Sequence, residues 1–77
     1  MNYEPITAED FSLLATEKFK NGDYQGAIVA AEKSIGLKED WHTLRILGGL
    51  LSRTNRFTEA IDAFRKSLAI KEDWNSY

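Results

Sequence analysis

Few side chains in this 77-residue sequence are of a type that does covalent or metal chemistry, and their spacing decides against most of it. The one histidine, His42, has no cysteine and no second histidine with which to share a metal ion, so a groove-lining or solvent role is the simpler reading. Ser34 and Ser67 are nucleophiles by type, but a serine needs a base within hydrogen-bond reach and no histidine recurs beside them. Gly48-Gly49 lies inside an apolar helical pattern, without the strand, lysine or spacing of a phosphate-cradling loop. The acidic pairs Glu39-Asp40 and Glu72-Asp73 suit helix starts, where negative charge meets the positive end of the helix dipole, better than acid–base work. No catalytic residue, metal ligand or cofactor is therefore predicted. What remains is cationic: Lys20, Arg45 and Arg53, with His42 beside them. Arginine clamps carboxylates bidentately, so this set offers recognition of an anion, not its conversion.

Composition sets the class in which such recognition operates. Ten Lys and Arg against twelve Asp and Glu give a formal charge of −2. That balance opposes general nucleic-acid binding, and three clustered cations neutralise little phosphate. Apolar residues make up 43% and charged residues 29%, an ordinary globular profile far from that of a disordered chain. No apolar run is long enough to span a bilayer, and the acidic first ten residues lack the blocks of a signal peptide. A cytoplasmic protein with no membrane partner is expected. Without cysteine there are no disulfides and no thiolate sites, so a hydrophobic core alone must hold the chain. A core of this size buries only about 60% of the surface of the unfolded chain, so the sequence reads as one small domain or a piece of something longer.

An internal repeat supplies the elements that position the cations. Shifting the sequence on itself by 33 residues lays Ala8 to Asp40 over Trp41 to Asp73. Nine identities result: Leu14/Leu47, Ala27/Ala60, Ile28/Ile61, Ala30/Ala63, Lys33/Lys66, Ser34/Ser67, Lys38/Lys71, Glu39/Glu72 and Asp40/Asp73. Conservative pairs such as Phe11/Leu44, Lys20/Arg53, Tyr24/Phe57, Ile35/Leu68 and Leu37/Ile70 extend the match. Lys38-Glu39-Asp40-Trp41 recurs as Lys71-Glu72-Asp73-Trp74, so a third copy is expected to open at 74–77 and the chain to be cut from a longer array. The expected organisation is a tail over 1–7, repeats over 8–40 and 41–73, and that partial third, in one structural domain.

Each copy predicts two helices. The only proline is Pro5, so no later backbone N–H is lost. Thr7 caps the first helix, with Asp10 approximating a capping box. Phe11, Leu14, Ala15 and Lys18 share one of its faces, and Asn21-Gly22-Asp23 ends it. The second, from about Tyr24 to Gly36, is striped by Tyr24, Ala27, Ile28, Ala31 and Ile35. Asp40 caps a third to about Thr54, and Asn55 or Arg56 precedes a fourth through Ile70, striped by Phe57, Ala60, Ile61, Phe64 and Leu68. No segment alternates with period two, so the fold class is all-α. On the third helix Trp41, Leu44, Ile46, Leu47, Leu50 and Leu51 occupy most of the circumference, which requires cover from more than one side. Gly48 and Gly49 in its middle cost about 1 kcal/mol each against alanine and imply close backbone approach.

This pattern resembles the tetratricopeptide repeat, W-x2-L-G-x2-Y in the first helix, G-x-Y at the turn, then A-x3-F-x2-A and a proline. In the second copy Leu44, Leu47, Gly48, Leu51, Asn55, Phe57, Ala60, Phe64, Ser67 and Glu72 occupy those places in order. In the first copy they hold Phe11, Leu14, Ala15, Lys18, Gly22, Tyr24, Ala27, Ala31, Ser34 and Glu39. Lys18 in an aromatic place predicts a looser or rotated first hairpin. Glutamates replace the proline, and the period is 33 where the family has 34.

The resemblance implies antiparallel hairpins stacked as a right-handed superhelix that serves protein–protein interaction through a concave groove. Ser12, Thr16, Phe19 and Lys20 are expected to line the groove from the first helix, and His42, Arg45, Gly49, Ser52 and Arg53 from the third. Such a groove is cationic in its second half, and its small residues leave room for an extended acidic peptide or a carboxyl terminus. Solvated charges on a linking module are the plainer alternative. The family's carboxylate clamp uses lysine and asparagine where this sequence has Ser12, Thr16 and Ile46, so that function does not carry over. A second reading makes the chain the non-catalytic arm of a larger enzyme, such as a transferase, positioning or dimerising a catalytic domain beyond Tyr77. A third, an enzyme in its own right, would act through His42 or Ser67. The outer face of the fourth helix, with Phe64, Leu68, Trp74 and Tyr77, lacks the next inner helix and is expected to join two copies as a dimer.

Overall fold

Capping side chains and two left-handed residues set the helix boundaries in the computed structural model, which describes residues 6–75, with side chains through residue 71. Helix α1 runs over Ala8–Lys20, α2 over Tyr24–Leu37, α3 over Trp41–Arg53 and α4 over Phe57–Asn75. No strand occurs among the described residues. Thr7 and Asp10 form a full capping box on α1, each side chain accepting from the other's backbone N–H. Asp40, one repeat later, caps α3 by accepting from the His42 N–H, and Asp23 caps α2 through the Gly26 N–H.

Both hairpin turns close with the same pair of hydrogen bonds. In the first, the Asp23 N–H donates to the Lys18 carbonyl at 2.8 Å and the Gly22 N–H to Phe19 at 3.0 Å. In the second, Arg56 donates to Leu51 at 2.8 Å and Asn55 to Ser52 at 3.1 Å. This Schellman arrangement needs left-handed backbone at its bend, and Gly22 (φ 82°) and Asn55 (φ 65°) supply it at equivalent places.

The hairpins pack α1 on α2 and α3 on α4, and α2 joins them by packing on α3. Buried alanines let the helices approach: Ala15, Ala27, Ala30, Ala31, Ala60 and Ala63. Between the hairpins, Ile28 and the α3 residues Leu44, Leu47, Leu50 and Leu51 fill the space. Cover from both α2 and α4 is the reason α3 is apolar around so much of its circumference. Ser34 and Ser67 are buried, and each donates to the carbonyl that opens its own hairpin, Ala8 at 2.6 Å and Trp41 at 2.7 Å.

Three expectations need correction. Lys18 does not loosen the first hairpin: its ammonium lies 3.6 Å from Asp23, and its stem lies beside Gly26, which has no side chain to obstruct it. The two α3 glycines part company. A Cβ on Gly48 would lie 2.8 Å from the Phe64 ring, whereas one on Gly49 would meet nothing within 4 Å. Close approach accounts for Gly48 alone. Finally, α4 continues beyond Ile70 to Asn75, so Lys71-Glu72-Asp73-Trp74 stays helical where its counterpart Lys38-Glu39-Asp40 is not. Glu72 keeps the N–H that a proline would remove, and nothing else in that stretch breaks a helix. The Trp74 side chain and all of Tyr77 lie outside the described residues.

Candidate functional site

Helix α3 turns one face to the core and the opposite face to a cleft of about 600 Å³, walled by the end of α1 and by α4. From α1 come Thr16, Phe19 and Lys20. From α3 come His42, Arg45, Ile46, Gly49 and Arg53, and from α4 Phe64. Two residues expected there lie elsewhere. The Ser12 hydroxyl sits 3.4 Å from that of Thr43, bridging α1 and α3 beside a separate pocket of about 90 Å³. Ser52 is exposed and lines no part of the cleft. Ile46, expected only at a clamp place of the family, and Phe64, expected only on the outer face of α4, line it as well. For Ile46 the signal exists, since Ile46, Gly49 and Arg53 share a helical face at i, i+3 and i+7. Phe64 belongs to the other helix of the hairpin and enters only through its seat on Gly48.

Aromatic rings hold the arginines in place. The Arg53 guanidinium lies 5.0 Å from the Phe19 ring centre and 6.0 Å from that of Tyr24. Those two rings meet edge to face at 5.7 Å, so the support is itself packed. Arg45 lies 5.8 Å from the Trp41 ring, which Lys71 also approaches, at 5.2 Å, and which the His42 ring meets edge on. Cation–π packing restricts a guanidinium without neutralising it. The described ion pairs are Lys18 with Asp23 and Arg56 with Glu59, so no described carboxylate engages Arg45 or Arg53.

Carboxylates gather at a different pocket. Glu32, Glu59 and Asp62, with Lys66, rim a hollow of about 310 Å³ floored by Ile35, Leu44, Leu47 and Leu51. At this side the Arg56 guanidinium is pushed up by its hydrogen bond to Glu59, with the charges of Glu59 and Glu32 acting in the same direction. The charged residues lining the cleft are thus cations, whereas three carboxylates with Lys66 rim the second hollow. Among the described residues no three His, Asp or Glu side chains cluster so as to hold a metal ion, and no helix is long and apolar enough to cross a membrane. The cleft is open and apolar-floored, and among the described residues no carboxylate engages its arginines.

Comparison with known proteins bears on the second hairpin. Residues 46–73 match the family model of the tetratricopeptide repeat, a stretch that starts within α3, crosses the Asn55 turn and ends within α4. No curated protein and no solved structure matches the chain.

Proposed function

We propose, from the match of residues 46–73 to the tetratricopeptide repeat model, that the chain is a protein-interaction module whose cleft binds an acidic segment of a partner. Protein binding is what such repeats generally do. One observation carries the finer reading: in a chain of formal charge −2, Arg45 and Arg53 face the cleft, packed on aromatic rings and free of any described ion pair. A carboxylate arriving there meets a pre-oriented donor fork and an apolar surround that strengthens the contact. The test is a peptide-array or pull-down screen of the native chain against the double variant Arg45→Glu plus Arg53→Glu. Both positions are exposed, so the circular dichroism of the variant is expected to stay native. Acidic ligands should lose at least tenfold in affinity, and unchanged binding of every ligand found would rule the cleft out.

A second reading, self-association, is favoured by the outer face of α4. Phe57, Ile61, Phe64 and Leu68 are 58, 51, 37 and 57% exposed. Their counterparts one repeat earlier, Tyr24, Ile28, Ala31 and Ile35, are buried or partly buried in the core that α3 completes. Phe64 and Leu68 would meet a second copy. Trp74 and Tyr77, assigned to the same contact, lie outside the described side chains. Light scattering at micromolar concentration reads the outcome directly.

A further inference from the structure

We infer that the cleft selects an extended segment with two acidic side chains four residues apart and an apolar side chain midway, acid-x-apolar-x-acid. The inference rests on the reading of the cleft as a site for an acidic partner and specifies the register that partner must have. Helix α3 places Arg45, Gly49 and Arg53 at successive steps of four. At 1.5 Å per residue, Gly49 lies about 6 Å along the axis from either arginine, and the arginines are about 12 Å apart. An extended chain points alternate side chains to one side and advances about 3.3 Å per residue, so residues i, i+2 and i+4 span about 13 Å on a common face. The ligand's interval matches that of the two arginine backbone positions, from which the side chains reach toward Trp41 and toward Phe19 with Tyr24. A helical ligand would span the same distance only with its acids eight residues apart and the apolar side chain at i+4, a different sequence pattern from acid-x-apolar-x-acid.

The midpoint has its own chemistry. A Cβ added to Gly49 would meet no atom within 4 Å, so the space above it is open, and Phe19, Ile46 and Phe64 line the same cleft. An apolar side chain at i+2 enters that space and leaves water, whereas a charged one would lose hydration without a partner. The outer positions meet guanidinium groups that Trp41 on one side and Phe19 with Tyr24 on the other already restrict, so little side-chain freedom is lost on binding. Lys20, the counterpart of Arg53 one repeat earlier, lines the same cleft and adds charge beyond that of the arginines.

The experiment uses the full chain and fluorescein-labelled, end-blocked nonapeptides centred on Glu-Ser-Leu-Ser-Glu, read by fluorescence anisotropy. The permuted centre Glu-Leu-Ser-Ser-Glu has the same composition and charge, but its leucine faces away from the cleft. The expected result is at least tenfold weaker binding of the permuted peptide. Gly49→Leu, which occupies the seat, should bring the two peptides to within twofold of each other while keeping a native circular dichroism spectrum. Arg45→Glu plus Arg53→Glu should reverse the preference, binding Lys-Ser-Leu-Ser-Lys better than the acidic peptide, a result that mere loss of structure cannot give. Equal binding of both acidic peptides, lost in the double variant, overturns the register and leaves the acidic cleft standing. If no acidic peptide binds the native chain, both readings fall.

Discussion

Gly48 and Gly49 are adjacent, identical in type and opposite in consequence. The Phe64 ring rests where a Gly48 side chain would be, while Gly49 faces open space. Gly48→Ala gains helix propensity of about 1 kcal/mol but must displace a ring at sub-contact distance, and overpacking of that kind costs about 1–3 kcal/mol. Urea denaturation should therefore find Gly48→Ala destabilised by about 1 kcal/mol, with the loss relieved when Phe64 is also replaced by alanine. Gly49→Ala should instead be stabilised by up to about 1 kcal/mol. If the two substitutions behave alike, the seat of Phe64 on Gly48 is wrong. From sequence the two cannot be told apart, because propensity charges both equally and what lies opposite each is set by a helix 16 positions away in Phe64. Arg45 and Arg53 were legible for the opposite reason: their placement depends only on the 3.6-residue period of one helix.

At the scale of elements, local chemistry was readable, and only the end of α4 departs from it. Thr7, Asp23 and Asp40 act as caps within three residues of their own positions, and the left-handed bends at Gly22 and Asn55 need only a suitable residue type. The end of α4 was misplaced because a sequence recurrence, Lys71 to Trp74, was taken to carry the same backbone as its first instance. The repeating serine is a subtler case. Ser34 and Ser67 stand where the family pattern has alanine, and the sequence offers neither of them a base. In the structure each ties the second helix of its hairpin to the first residue of the first helix. Ser67→Ala, a change toward the family pattern, improves helix propensity by a few tenths of a kcal/mol but forfeits a buried hydrogen bond with a net value of about 0.5–1.5 kcal/mol. The variant should thus be less stable by roughly 0.5–1 kcal/mol in urea. Equal or greater stability would make the bond to the Trp41 carbonyl incidental.

Over the whole molecule, 44 × 29 × 17 Å, two layers of helix leave little interior, and small residues carry much of it. That thinness makes the outer stripe of α4 conspicuous. Its residues follow steps of four, three and four, the spacing by which one helix nests along another. Native chain at micromolar concentration should scatter as a dimer, and Leu68→Glu, which buries a charge in the joint while leaving the core untouched, should scatter as a monomer with unchanged helicity. A native chain that stays monomeric to millimolar concentration discards the joint. The repeat made this face legible, since its counterparts on α2 are covered, but the sequence could not place Phe64 in both the stripe and the cleft.

Because α3 carries both arginines, their separation is fixed by one rigid rod, whereas Lys20 rides on the neighbouring hairpin across the seam. Arg53 nevertheless rests on Phe19 and Tyr24 of that hairpin, so the seam joins the second cation of the cleft to both repeats, while Arg45 leans on Trp41 of its own helix.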